Sequence, residues 1–167
     1  EFARDNGETW TAANTDTDGS AFDVCLNDKL LGRVNWSLIG KHNIDNGLNA
    51  IAAARHVGIQ AETCIEALTS FSGVKRRLEV IFENERSVIY DDFAHHPTAI
   101  RTTLQGLRKR VGSDEILAII EPRTHTMSLG SLSNDLSTCC AAADAVIWFR
   151  GENIKWDLGE VINNCLV

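Results

Sequence analysis

Several things are missing from this sequence, and each absence removes a class of protein. It has no apolar run of about 18 residues, the length an α-helix needs to cross a bilayer. Its first residues show no basic stretch leading into an apolar segment, so a secretory signal is not expected either, and a cytoplasmic location is. It has no C-x-x-C pair: Cys25, Cys64, Cys139, Cys140 and Cys165 are odd in number and irregular in spacing. That pattern argues against a disulfide framework or a zinc knuckle and for reduced thiols. There is no excess of positive charge, with 16 Lys and Arg against 23 Asp and Glu and a net charge of −7. Nucleic acid and anionic membrane surfaces are therefore not expected as partners, because phosphate binding needs Lys and Arg in excess on one face. Internal repeats and low-complexity tracts are absent as well.

What is present is the composition of a folded protein, 44% hydrophobic and 23% charged over 167 residues. That length suits one full domain, or one domain with part of another. Residues 8–12, 20–26 and 30–38 alternate apolar and polar side chains between turn-rich segments, as an antiparallel meander does. From Asn43 the period becomes helical, through Ile44, Leu48 and Ile51 to a stop at Gly58, and residues 61–70 form a second short helix. A meander with two helices is expected to bury little by itself.

The pattern changes near Gly73, where a domain boundary is expected, dividing 1–72 from 73–167. Strands are predicted at 78–83, 86–90, 115–121 and 145–149, and helices at 97–111, 131–142 and 157–166. The strands are nearly continuous Ile, Val and Leu, which predicts an α/β fold, Rossmann-like, with a mostly parallel sheet covered on both faces.

Four stretches carry candidate chemistry. In GKHNIDNGLNAIAAA, Asn43 either caps the helix through its side chain or, with His42 and Asn46, meets a nucleotide. In GVKRRLEV, the basic triplet Lys75–Arg77 is either solvated or supplies a planar fork for phosphate. A second cluster, Arg108–Arg110, falls at a helix end, where cations suit the helix dipole. In YDDFAHHPTAI, Asp91 and Asp92 lie at the carboxyl end of a strand and Pro97 opens the next helix. Neighbours in extended chain point opposite ways, so Asp91, Asp92, His95 and His96 make a poor metal cage, and no metal site is expected. In EPRTHTM, Arg123 and His125 follow the next strand and either face solvent or join His95 at a ligand.

Taken in order, these four stretches resemble the second half of a Mur ligase, and the resemblance covers essentially the whole chain. It implies a three-domain, ATP- and Mg²⁺-dependent amide ligase of peptidoglycan metabolism, of which residues 1–72 resemble the end of the central P-loop ATPase domain. Residues 73–167 resemble most of the C-terminal domain. DDFAHHP and EPRTHTM are similar to the variant that joins the tripeptide L-alanyl-γ-D-glutamyl-meso-diaminopimelate to UDP-N-acetylmuramate. The L-alanine-adding variant, the alternative, typically reads DDYGHHP with a P-H-R-Y-T-R loop. The resemblance implies that Arg77 and Asp91 are catalytic, that both also contact nucleotide together with His42, Asn43 and Asn46, and that Phe93, His95, Arg123, Thr124 and His125 hold the peptide. It departs in having no G-x-x-x-x-G-K-[ST] cradle anywhere in the chain, which implies an inactive fragment. A metal-dependent hydrolase built on Asp91 and His95, and a non-catalytic binding module, are the rival readings. The pattern specifies no oligomeric state.

Overall fold

The computed structural model describes residues 3–5, 8–122, 133–152 and 157–163. It divides into two compact units, Glu1–Lys75 and Arg76–Val167.

In the first unit, strands β1 (Ala3–Asp5), β2 (Glu8–Ala13), β3 (Ala21–Leu26) and β4 (Lys29–Asn35) form an antiparallel meander in the order β1-β2-β3-β4. The β3–β4 turn is two residues, Asn27 and Asp28, with φ of 49° and 64°. Asn and Asp tolerate this left-handed conformation, and the turn it makes matches the twist of the strands. Helix α1 (Lys41–His56) follows, and then α2 (Ala61–Thr69). Ile44, Leu48 and Ile51 recur on one face of α1 and are buried with Trp10, Phe22, Val24 and Val34. A meander with two helices therefore does bury a connected core, contrary to expectation, because the large aromatics of β2 and β3 fill it. Gly47 permits the close approach of α1, since a Cβ there would lie 2.9 Å from Cη2 of Trp36. Asp23 is the one buried charge among the described residues. It accepts from Asn14 Nδ2 at 2.6 Å and from Arg33 Nη1 at 3.0 Å, and these bonds, Asn14 first, hold its carboxyl below the usual range.

The second unit begins with β5 (Glu79–Glu83) and β6 (Val88–Asp91), followed by α3 (Pro97–Val111), β7 (Leu117–Ile120), α4 (Ser133–Cys139), β8 (Ala145–Trp148) and α5 (Leu158–Asn163). Among the described residues only β7 and β8 pair in parallel, and α4 lies between them in sequence. β5 and β6 pair antiparallel, because the Asn84–Ser87 turn, tied by Asn84 Oδ1 to the Arg86 and Ser87 N–H groups, is far too short for a crossover. The expected cover on both faces is also absent among the described residues. Ile116 and Ala118 are buried, while the alternate residues Leu117 and Ile119 are 53% and 69% exposed. Among the described residues the mostly parallel sheet is thus present as one parallel pair and, as a separate sheet, an antiparallel hairpin, with Leu117 and Ile119 of the parallel pair exposed.

Arg108 does more than suit a helix dipole. Its Nε donates to Ala142 O at 3.1 Å, its Nη1 to Gly112 O at 3.0 Å and Asp114 O at 2.6 Å, and its Nη2 to the Asp144 carboxylate. Asp144 Oδ2 also accepts the Ile116 N–H at 2.7 Å. One guanidinium thus joins the end of α3 to the approaches of both parallel strands. The Ile116 N–H first, and Arg108 second, hold the Asp144 carboxyl below its ordinary value.

A depressed carboxyl stabilises the fold above its unfolded value of about 4 and loses that contribution as pH falls through the folded value. Asp144→Asn is expected to lower stability at pH 7 and flatten the acid-side fall in thermal midpoint below about pH 4, read by circular dichroism. An unchanged acid limb would remove Asp144 from this role.

Candidate functional site

In the second unit the polar groups gather around two segments, the Arg76–Leu78 turn and the Asp92–His96 loop. The turn is strained: Arg76 and Leu78 have φ of 59° and 49°, a region that bulky residues avoid at a cost of order 1–3 kcal/mol each. Three contacts hold it, and a fourth fixes the Asp92 carboxylate that makes one of them. Asp92 Oδ2 accepts the Leu78 N–H at 2.8 Å, while Asp92 Oδ1 accepts the Ala94 N–H at 2.7 Å. Glu79 Oε2 accepts the Arg76 N–H at 2.9 Å, and the Phe93 N–H donates to Arg76 O at 2.8 Å.

The side chains follow from this backbone. Arg76 Nε lies 3.3 Å from Asp91 Oδ2, and its guanidinium sits 5.0 Å above the Phe93 ring. Phe93 meets His95 edge to face, with centroids 5.0 Å apart. His95 Nδ1 is 2.9 Å from Phe93 O; since a carbonyl only accepts, Nδ1 carries a proton, and in the neutral ring Nε2 is the acceptor. Arg77 stands exposed between the two strained residues, and no hydrogen bond or ion pair engages its side chain among the described residues.

Arg77, Asp91, Phe93 and His95 thus lie on two segments held together by Asp92. The Arg76–Asp91 pair is 55% and 37% exposed, and such a pair contributes at most about 1 kcal/mol. Asp91 can therefore exchange Arg76 for a ligand at little cost. Asp92 is committed to two backbone N–H groups, and His96 caps α3 by accepting the Thr98 N–H at 3.2 Å through Nδ1. The two acids and two histidines of DDFAHHP share no partner, and among the described residues no group of three or more His, Cys, Asp or Glu is placed to hold a metal ion. Arg123, Thr124 and His125 lie outside the described residues.

In the first unit, His42 and Asn43 occupy the first turn of α1 and Asn46 the next. Asn43 does not cap the helix. Its Nδ2 donates to Ile39 O at 2.8 Å, and the N-cap position is Gly40, whose φ of 89° only glycine adopts freely. His42 is half-buried and Asn46 is exposed.

Residues 76–164 match the family model described as Mur ligase, glutamate ligase domain. The chain belongs to the Mur ligase family. Over 158 residues it is 45% identical to the UDP-N-acetylmuramate–L-alanyl-γ-D-glutamyl-meso-2,6-diaminoheptandioate ligase of Escherichia coli strain K12, covering 94% of this chain and 35% of that protein. It is 38% identical over 130 residues to the UDP-N-acetylmuramate–L-alanine ligase of Desulfitobacterium hafniense, covering 78% of this chain and 29% of that one. Among solved structures, a murein peptide ligase from Psychrobacter arcticus superposes with a TM-score of 0.64 at 43% identity, over 93% of this chain and 33% of that one. The chain spans about a third of the length of these relatives.

Family membership explains the chemistry available but not the turn that Asp92 holds. Asp92→Ala is expected to cost about 2–3 kcal/mol, Asp92→Asn roughly half of that because one acceptor oxygen survives, and His96→Ala about 1 kcal/mol. Urea unfolding orders the three variants, and an Asp92→Ala protein as stable as the parent would show that the turn holds itself.

Proposed function

We propose that this chain is part of an ATP-dependent ligase that joins L-alanyl-γ-D-glutamyl-meso-diaminopimelate to UDP-N-acetylmuramate, in the reuse of peptidoglycan peptide. Its first unit is then the end of a central ATPase domain and its second most of a C-terminal domain, both acting in the cytoplasm. The observation that carries this reading is a clamped, strained turn presenting Arg77, in a chain 45% identical over 94% of its length to a ligase named for that tripeptide.

The geometry suits anion binding. A fixed turn holds an unengaged guanidinium in the open, where its planar fork can meet phosphate oxygens with little reorganisation. In the second unit Arg77 suits the phosphate end of ATP and Asp91 its ribose; taken separately, His42, Asn43 and Asn46 of the first unit suit contact with a nucleotide. No Mg²⁺ ligand set occurs among the described residues, and the sequence has no G-x-x-x-x-G-K-[ST] phosphate cradle. When bound, ATP with Mg²⁺ supplies the phosphoryl group that activates the muramoyl carboxylate as an acyl phosphate. The role of this chain is to neutralise charge and to orient the incoming amine. His95 Nε2, the free acceptor on an exposed ring beside Phe93, is suited to receive an ammonium or amide N–H of the peptide; Arg123, Thr124 and His125 are proposed as further peptide-binding residues. An L-alanine-adding reaction is the alternative.

The reading is tested with the full-length protein, ATP, Mg²⁺, UDP-N-acetylmuramate and either tripeptide or L-alanine. ADP release with a new amide from tripeptide alone is the expected result; turnover with L-alanine alone would overturn it. Arg77→Ala is expected to lower kcat by on the order of 10²-fold with an unchanged thermal midpoint. Arg123→Ala should raise KM for tripeptide more than KM for ATP, and equal changes in both would move the peptide site elsewhere.

A further inference from the structure

Cys139 and Cys140 are adjacent in sequence at the end of α4, and their sulfurs lie 3.5 Å apart. Both are buried, at 1% and 0% exposure, and neither is in a disulfide. Neighbouring side chains on a helix ordinarily diverge by about 100°, so facing sulfurs require the helix to end here, as it does in the turn at Cys140–Ala143 closed by Ala143 N–H to Cys140 O at 2.8 Å. Cys139 Sγ also lies 3.2 Å from Leu136 O, and Arg101 of α3 approaches the same helix end, donating from Nη2 to Thr138 Oγ1 at 3.3 Å. Nothing in the ligase chemistry uses this pair.

We propose that Cys139 and Cys140 form a redox-active dithiol that a low-molecular-weight disulfide converts reversibly to a vicinal disulfide. The thiolate of one cysteine attacks a sulfur of the oxidant and releases one thiolate. The second cysteine, as thiolate, attacks the protein sulfur of the mixed disulfide and releases the other. Two electrons pass from the protein dithiol to the oxidant, and the two thiol protons end on the two released thiols. Cys139 is suited to act as the first nucleophile: hydrogen bonding from Cys140, and then the Arg101 charge, lower its pKa against the opposing effect of burial. The resolving sulfur already stands beside it, so the second step is intramolecular.

Covalent geometry makes the product labile. Adjacent Cα atoms are fixed about 3.8 Å apart, short of the roughly 4.4–6.8 Å that a relaxed disulfide spans. The bond is therefore strained and easily reduced, the behaviour of a switch and not of a structural staple. Entry of the oxidant needs the seven-residue helix to open locally at its end, where Thr138 and Ala141 are already exposed.

The test exposes the native 167-residue chain to glutathione disulfide, alkylates the remaining thiols and digests with trypsin, since fragment 124–150 contains these two cysteines and no other. The expected result is a fragment two hydrogens lighter, with both alkylations lost, regained with dithiothreitol, while circular dichroism stays native. Cys140→Ser and Cys139→Ser are expected to stop at a persistent glutathione adduct or at no reaction. A wild-type fragment that keeps the adduct, that remains doubly alkylated, or that loses its thiols only once the chain has unfolded would overturn the proposal, whatever the serine variants do.

Discussion

The Asp92 carboxylate is the contact on which the second unit's chemistry depends. Each of its oxygens takes one backbone N–H, from Leu78 on one side and Ala94 on the other. Without it, a turn with two bulky residues at positive φ keeps only the Glu79 and Phe93 bonds to Arg76, against strain of order 1–3 kcal/mol per residue. Bonds to a charged acceptor are worth about 1.5–3 kcal/mol and shift the balance. The consequence is positional: Arg76 is laid over Phe93 and against Asp91, and Arg77 is turned outward.

Much of this scaffold was legible in the sequence, because the signals were local. Pro97 at the first helical position marked α3 correctly, the alternation of residues 8–12 and 20–26 marked β2 and β3, and the Asn-Asp turn between β3 and β4 has the chemistry its backbone requires. What escaped was non-local. Asn43 has the residue type of a cap, but Gly40 starts the helix three residues earlier, drawn there by its own N–H bond to Asp18 O at 2.7 Å. Arg108 has the position of a dipole-neutralising cation, yet its partners at Ala142 and Asp144 lie more than thirty residues away in sequence. Apolar runs in β5–β8 read as strands buried on both sides, but period alone cannot say whether a second face finds its cover within the chain.

The sequence did carry one clue to the division of labour around the site, in the doublets Asp91–Asp92 and His95–His96. Where chain is extended, consecutive side chains leave on opposite sides, so a doublet of one residue type sends one copy toward the scaffold and the other away from it. The structure assigns them unevenly. Asp92 and His96 take backbone N–H groups, of Leu78 and Ala94 in the one case and of Thr98 in the other. Asp91 keeps only a weak surface pair, and His95 keeps a ring nitrogen free to accept. The copies that build are the second of each doublet because the loop must turn from β6 into α3, and the groups needing acceptors, the strained Leu78 amide and the open first turn of the helix, lie on that inner side of the bend. The first copies are left on the outer side, where Arg76, Phe93 and His95 stack in sequence and where a ligand would meet them. A metal ion would draw on several of these groups at once, whereas Asp92 and His96 are engaged with backbone N–H groups and His95 with the Phe93 carbonyl.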